Sequence, residues 1–472
     1  MKRIRTGDPG FDELTWGGIP ELSTVFIAGP PGAGKTILAN QIAFSIAEGG
    51  EKALIISTLS EPLTKMIRFM CGFSFFKAEL IGKAIFFEDV SELVRRGDTE
   101  GILDLIEERV RELKPKVLIV DSVRSLLDAV TGGRDRKRDF IHRIAVRFPV
   151  WGTTTLLVGE YLLDEIGREP EFSVADGIVY LFGTEEEELQ KRFVQIIKLR
   201  GSPFLRGKQY FEIGPEGLRV FPRLRPEVES ISYPLCEDRI PTGVEGLDAL
   251  LGGGVRKFTT TLLTGPTGSG KTVMALSFAG AFLRKEREKG FVYFTFEESP
   301  EALRYYARRL GIELEGFIAE GRLEFRFISP VELDLDLLAS RIVEGVRELD
   351  SECGVVLDSI TSFRFSHRDD VRYREFLWSV ANFFRFNRNT SFLILETEDP
   401  FRGTPVADDL RLSILSDNVI LLRYYQRDGS VRRAVEVLKV RGEEHARDIH
   451  ELEIVSGRGA VVGKRIEGRF LR

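Results

Sequence analysis

Apolar runs of three to five residues recur along the chain, separated by longer stretches of mixed polar and apolar residues. The runs are rich in Val, Ile, Leu and Phe and do not alternate with polar residues, which is typical of strands covered on both faces. This pattern predicts an α/β fold in which each mainly parallel sheet is flanked by helices. The predicted strands are Val25–Ala28, Ala53–Ile56, Val117–Val120, Thr155–Val158, Gly177–Leu181, Val194–Ile197, Thr261–Thr264, Phe291–Phe294, Val355–Leu357, Phe392–Leu395, Val419–Leu422 and Val435–Leu438.

The two halves of the chain repeat the same landmarks in the same order. Each landmark recurs about half a chain length later, which indicates two tandem copies of one domain. The matched pairs are Thr6–Leu14 with Thr242–Leu250, Asp121-Ser122 with Asp358-Ser359, and Lys198–Gly201 with Lys439–Gly442.

A polar, proline-containing stretch, Arg223–Ser230, separates the two copies. A chain of 472 residues is long for one compact domain and comfortable for two. We therefore place the boundary near residue 230 and predict domains 1–230 and 231–472.

A glycine-rich motif follows the first predicted strand of each half. Both motifs match G-x-x-x-x-G-K-[ST], whose backbone N–H groups and following helix start bind phosphate, while its Lys reaches the terminal phosphates and its Ser or Thr ligates Mg²⁺. ATP and Mg²⁺ are the expected ligands. The motif residues are Gly29, Pro30, Pro31, Gly32, Ala33, Gly34, Lys35 and Thr36 in the first half, and Gly265, Pro266, Thr267, Gly268, Ser269, Gly270, Lys271 and Thr272 in the second.

An aspartate ends the third apolar run of each half: Asp121 in the first and Asp358 in the second. Next to such a glycine-rich phosphate-binding loop, or P-loop, a carboxylate at the carboxyl end of a strand can hold Mg²⁺ through water. We expect Asp121 with Thr36, and Asp358 with Thr272, to form the metal sites. Capping of the next helix is the structural alternative for each aspartate.

The halves differ after the second strand. Glu297 and Glu298 follow it in the second half, where a carboxylate could orient and deprotonate the attacking water, although an exposed acidic turn is the alternative. Aligned on the prolines, Leu59 and Ser60 replace them in the first half, and only Glu61 is acidic. We therefore expect the first domain to bind ATP but hydrolyse it weakly or not at all, and the second domain to be the catalytic one.

A Lys-x-Arg-Gly motif ends a late strand in both halves. Residues two apart point to one face of a strand. Lys198 with Arg200, and Lys439 with Arg441, can therefore present paired cations to a phosphate, either in their own subunit or in a neighbour as arginine fingers.

Taken together, these motifs resemble the KaiC-like branch of the RecA-fold ATPases over essentially the whole chain. The resemblance implies two tandem RecA-like P-loop domains in a hexameric ring, with ATP between neighbouring subunits. It places Glu297 and Glu298 on the catalytic glutamates, and Lys439 and Arg441 on the cations that act in trans, as it does Lys198 and Arg200. Lys271 would assist catalysis, and His445 matches a family histidine near the phosphates, where the first half has Phe204.

The chain departs from the clock members of that family. Their second domain phosphorylates an adjacent Ser-Thr pair, whereas the corresponding residues here are Ser413-Ile414. We expect an ATPase that signals to an unknown protein partner rather than a clock component. An ATP-bound scaffold or an autokinase acting on Ser413 is one alternative, and a DNA-dependent motor is another.

Composition narrows these choices. The net charge of −6 does not favour a nucleic-acid clamp, and the basic stretch 132–139 contains two aspartates and is expected to begin a solvated helix. No apolar run approaches the ~20 residues of a membrane span. We expect a cytoplasmic protein, and the 30% charged residues with only three Cys and four Met lean towards a thermophilic source.

Overall fold

The chain divides into two compact units, Met1–Arg223 and Leu224–Arg472. A computed structural model describes residues 2–58, 63–130, 133–186, 189–225, 236–331, 333–349, 352–364, 369–397 and 415–467. The predicted boundary near residue 230 falls in the segment 226–235, outside the described residues.

The first unit alternates strands and helices along most of its length. Its strands are β1 (Arg3–Ile4), β2 (Ile19–Pro20), β3 (Thr24–Gly29), β4 (Ala53–Ser57), β5 (Ile85–Asp89), β6 (Val117–Asp121), β7 (Thr154–Glu160), β8 (Gly177–Glu186), β9 (Leu189–Leu199), β10 (Gln209–Gly214) and β11 (Gly217–Phe221). Its helices are α1 (Pro9–Leu14), α2 (Lys35–Glu48), α3 (Leu63–Met70), α4 (Ser91–Arg96), α5 (Thr99–Leu113), α6 (Val123–Ala129), α7 (Arg134–Val150), α8 (Leu163–Ile166) and α9 (Glu171–Val174).

The second unit repeats this plan. Its strands are β12 (Arg239–Ile240), β13 (Val255–Arg256), β14 (Thr260–Pro266), β15 (Phe291–Thr295), β16 (Leu323–Phe327), β17 (Gly354–Asp358), β18 (Thr390–Thr397), β19 (Asn418–Arg427), β20 (Ser430–Val440), β21 (His450–Val455) and β22 (Gly459–Arg465). Its helices are α10 (Leu247–Leu250), α11 (Lys271–Lys285), α12 (Pro300–Arg309), α13 (Glu315–Ala319), α14 (Leu335–Arg347), α15 (Thr361–Arg364) and α16 (Asp370–Phe386).

Each unit is built on a nine-stranded sheet. The strand order is β11-β10-β9-β8-β3-β7-β6-β4-β5 in the first sheet and β16-β15-β17-β18-β14-β19-β20-β21-β22 in the second, so the two orders correspond when one is read backwards. Six neighbouring strands of the first sheet pair in parallel, in the order β8, β3, β7, β6, β4 and β5, and so do β16, β15, β17, β18, β14 and β19 of the second. The remaining three strands of each sheet, β9 to β11 and β20 to β22, pair antiparallel with their neighbours. The mainly parallel α/β architecture predicted from the sequence is confirmed.

Every predicted apolar run lies within a strand, but the sequence pattern missed the antiparallel strands β10, β11, β21 and β22 and the two-residue strands β1, β2, β12 and β13. In the parallel part of the sheets it missed β5 and β16. Both are edge strands, and among the described strands each pairs with one neighbour, β4 and β15 respectively. Their sequences, Ile-Phe-Phe-Glu-Asp and Leu-Glu-Phe-Arg-Phe, carry charged residues because the outer edge of a sheet is half-exposed. An edge strand therefore lacks the continuous apolar run that identifies a central one.

The helix that follows each P-loop is buried on most of its surface. In α2 the buried residues include Leu38, Ile42 and Ala43, and they join the core cluster that also contains Val25 and Ile27 of β3. The equivalent helix α11 is packed in the same way in the second unit. Because the helix is held on several sides, the phosphate-binding loop before it is fixed in position.

Among the described helices, none is long and apolar enough to cross a membrane. The basic stretch that the sequence assigned to a helix start does begin a helix, since α7 starts at Arg134.

Candidate ATP sites

Both P-loops lie at the carboxyl ends of central strands, β3 and β14, where a parallel sheet presents groups to a ligand. Gly34 and Gly270 precede the helices with φ of 96° and 107°, a conformation that side-chain-bearing residues rarely adopt. A Cβ on Gly29 would lie 2.0 Å from the carbonyl oxygen of Leu181. The glycines of the motif are thus required by the turn and by the close approach of the neighbouring strand.

The motif lysines are folded back onto their loops. Lys35 Nζ donates to the carbonyl oxygen of Pro30 at 2.8 Å, and Lys271 Nζ donates to that of Pro266 at 2.9 Å. Burial lowers the pKa of both amines. A buried cation at the positive end of a helix attracts anions, which fits a site for phosphate.

A hydroxyl and a carboxylate meet beside each loop. Thr36 Oγ1 donates to Asp121 Oδ2 at 2.7 Å. In the second unit Asp358 accepts hydrogen bonds from Thr272 and from the phenol of Tyr293. Burial raises the pKa of Asp358, and these two hydrogen bonds oppose the rise. The predicted metal-site pairs are therefore brought together in both units.

The two glutamates after β15 have different surroundings. Glu297 Oε1 accepts a hydrogen bond from Ser362 Oγ at 2.5 Å. Burial is the main cause of the lowered Lys271 pKa, and the nearby charges that oppose it include that of Glu297. Glu297 therefore lies on the P-loop side of the turn.

Glu298 has contacts on the other side of that turn. Its carboxylate lies 3.5 Å from the hydroxyl of Tyr306, and its backbone carbonyl accepts a 2.7 Å bond from Thr295 Oγ1. Of the two predicted catalytic carboxylates, Glu297 is thus the one whose charge acts on the pKa of the P-loop lysine.

The strand register supports the alignment between the halves. The backbone N–H of Thr58 donates to the carbonyl of Asp121, and that of Phe296 donates to the carbonyl of Asp358, each at 3.0 Å. Thr58 and Phe296 are therefore equivalent, so the next residue is Leu59 in one half and Glu297 in the other. Residues 59–62 themselves lie outside the described residues.

The arginines of the two Lys-x-Arg-Gly motifs pair with equivalent aspartates, and each lysine donates to a nearby backbone carbonyl. Lys439 Nζ donates to Ser416 O at 2.8 Å, and Arg441 forms a 3.2 Å ion pair with Asp417. Burial lowers the pKa of Lys439.

In the first unit Lys198 donates to the carbonyl of Ser173 at 3.4 Å, and Arg200 pairs with Asp176 at 3.5 Å. Burial lowers the pKa of Lys198 as well. In both units, therefore, the late strand ends in a lysine that donates to a carbonyl and an arginine that pairs with an aspartate.

These cations do not reach the P-loop of their own unit. Val440 pairs with Asn418, which pairs with Thr261 at the beginning of β14, whereas the P-loop follows the end of that strand. The strand position that aligns with Val440 and the end of β14 are five residues apart, roughly 17 Å at 3.3 Å per residue. This separation favours the alternative in which the motif acts on a phosphate held by a neighbouring subunit.

His445 lies against the end of α10, because the next residue, Ala446, donates its N–H to the carbonyl of Leu250. Its Nδ1 is buried and has no hydrogen-bond partner among the described residues. In the first unit the backbone N–H of Leu205 donates to the carbonyl of Leu14 in the same way, which makes Phe204 the counterpart of His445. Ser413 lies outside the described residues.

An acidic residue that was not predicted from the sequence lies beside each P-loop. Glu396 Oε1 accepts from Thr267 Oγ1 at 2.9 Å and pairs with Lys271 at 3.2 Å. Glu160 is its counterpart, since Gly29 pairs with Glu160 as Gly265 pairs with Glu396. An acidic residue at the end of the fourth apolar run in both halves was the available signal.

Comparison with known proteins decides the family. The KaiC ATPase family model matches residues 4–225 and again residues 240–467. This chain belongs to the KaiC family of ATPases. The tandem repeat seen in the sequence is therefore a repeat of the KaiC domain.

Individual members of the family align along nearly the whole chain. The circadian clock oscillator protein KaiC of Picosynechococcus sp. is 27% identical over 472 residues, covering 98% of this chain and 90% of the relative. The circadian clock oscillator protein KaiC 1 of Synechocystis sp. is 29% identical, with coverage of 96% and 88%. The circadian clock protein KaiC3 of the same organism is also 29% identical, with coverage of 98% and 92%.

Membership of the KaiC family implies that the chain binds ATP, and the side chains present fit that ligand. Ser269 and Ser359 of the second site have buried hydroxyl oxygens without a hydrogen-bond partner among the described residues. A bound nucleotide with its metal and waters would satisfy such groups. Thr36 with Asp121, and Thr272 with Asp358, offer the hard oxygen ligands that Mg²⁺ prefers.

Proposed function

We propose that the protein hydrolyses Mg²⁺-bound ATP, mainly at its second site. At both sites the P-loop N–H groups and lysine would bind the phosphates, and the Thr–Asp pair would hold the metal. The metal supplies positive charge that offsets the charge of the phosphates.

The observation that carries the proposal is the placement of Glu297. It accepts a hydrogen bond from Ser362, and its charge is among those that oppose the lowering of the Lys271 pKa by burial. From there it would orient the attacking water and accept its proton. The first site has Leu59 at the equivalent position, so it would bind ATP and contribute little turnover.

We further propose that each site is completed by a neighbouring subunit. Lys439 and Arg441 lie on a different edge of the sheet from their own P-loop. A head-to-tail contact between subunits would bring this edge to a neighbour's phosphates, and such contacts close into rings. We expect a homohexamer in the cytoplasm whose turnover changes its shape and signals to a protein partner.

One experiment tests assembly and activity together. Light scattering with Mg²⁺ and ATP should give a mass of about 320 kDa, six times the 53.4 kDa chain, while phosphate is released. With EDTA in place of Mg²⁺, phosphate release should stop. Hydrolysis by a species that stays monomeric throughout would contradict the shared site.

A further inference from the structure

A buried phenol contacts the proposed metal-site carboxylate of the second unit. Tyr293 lies in the middle of β15 and is completely shielded from solvent. Its hydroxyl donates to Asp358 Oδ2 at 2.6 Å. Its backbone pairs with Val356 on the neighbouring β17, so the side chain leans along the sheet to reach the aspartate two residues further on.

Two donors from different elements therefore converge on Asp358. Thr272 approaches from the start of α11, and its hydroxyl is the group expected to contact Mg²⁺ directly. Tyr293 approaches from within the sheet, and as a fully buried donor it is placed to hold the carboxylate rather than to bind the ligand. Hydrogen bonds to a charged acceptor are stronger than those between neutral groups and fix its orientation.

The first unit lacks this donor. Ile55 occupies the equivalent position, since it pairs with Ile119 on β6 as Tyr293 pairs with Val356 on β17. An isoleucine side chain cannot donate a hydrogen bond. The two sites thus share the Thr–Asp pair but differ in the group behind the aspartate.

We propose that Tyr293 is a positioning residue for Mg²⁺ at the second site. By fixing the Asp358 carboxylate, it prepares the carboxylate to accept a hydrogen bond from water on the metal. The inference rests on the proposed function, because it assumes that nucleotide binds there with Mg²⁺.

The test measures binding rather than turnover. In a Lys35→Ala background, which limits binding to the second site, Mg²⁺ is titrated at a fixed concentration of a fluorescent ATP analogue. Tyr293→Phe should raise the Mg²⁺ concentration for half-maximal binding about tenfold, the size expected when a metal ligand loses its supporting hydrogen bond. Nucleotide affinity in EDTA should stay unchanged.

Tyr373→Phe is the matched control. Tyr373 is also fully buried in this unit, and its hydroxyl donates to the carbonyl of Ile360 at 2.6 Å. Tyr373→Phe therefore removes a comparable hydrogen bond that does not involve the Asp358 carboxylate, and its Mg²⁺ titration should match that of the parent.

The inference is overturned if Tyr293→Phe leaves the Mg²⁺ titration unchanged, or if both variants shift it equally. It is also overturned if affinity in EDTA falls by the same factor as affinity in Mg²⁺. A parent protein whose nucleotide binding ignores Mg²⁺ would remove the proposed function as well.

Discussion

Glu297→Gln is expected to lower steady-state phosphate release by about a hundredfold or more, the usual cost of losing a positioned general base. Glutamine still accepts the hydrogen bond of Ser362 and keeps the shape of the side chain, but it cannot take a proton from water. The affinity for ATP should therefore stay within about twofold of the parent value. Phosphate release and fluorescent-nucleotide binding on the same preparations measure both quantities.

The neighbouring glutamate is the matched control. Glu298→Gln makes the same chemical change one residue away, on the Tyr306 side of the turn. Its effect on phosphate release should be much smaller. If Glu298→Gln stops turnover and Glu297→Gln does not, the roles of the two carboxylates are reversed.

Arg441→Ala is expected to reduce turnover by at least about a hundredfold, because arginine fingers contribute about 10³ to 10⁵ in rate. The fold should tolerate the change, since Asp417 keeps the buried guanidinium of Arg385 as a partner. The variant alone does not show whether the arginine acts in its own subunit or in the next.

Mixing distinguishes these cases. Glu297→Gln and Arg441→Ala subunits are separately inactive, but a mixed ring contains sites with a parental glutamate on one subunit and a parental arginine on its neighbour. Random mixing in equal amounts should restore about a quarter of the parent turnover, since both groups must be intact across one heterologous contact. Mixtures that remain as inactive as their components would show that the arginine does not act in trans.

Arg200→Ala provides the control in the first unit. This arginine ends the equivalent strand and pairs with Asp176 as Arg441 pairs with Asp417. Because the first site is expected to contribute little hydrolysis, its loss should leave most of the phosphate release intact. A loss as large as that of Arg441→Ala would mean that the first site carries turnover too.

Central strands and phosphate-binding loops were predictable because local rules determine them. A parallel strand buried on both faces has a continuous apolar sequence, as Val117–Val120 shows, and the P-loop needs glycine where φ is positive, as at Gly270. Both signals lie within a few adjacent residues. The edge strand β16 gave no such signal, because its exposed side admits charged residues.

The surroundings of the site were less accessible to sequence reasoning because they depend on residues far apart in the chain. Ser362 reaches Glu297 across 65 positions, and Glu396 reaches Lys271 across 125. Tyr293 lies inside an apolar run and is indistinguishable there from a core aromatic. The location of Arg441 away from its own P-loop likewise required the strand pairing of the folded sheet.

The central claim is that the second P-loop carries the turnover, and phosphate release by Lys35→Ala and Lys271→Ala tests it most directly. The two substitutions remove equivalent lysines, each held over its own loop. At equal assembly by light scattering, Lys271→Ala should abolish phosphate release, and Lys35→Ala should retain at least about half of the parent rate. Turnover that survives in Lys271→Ala and disappears in Lys35→Ala would contradict the account.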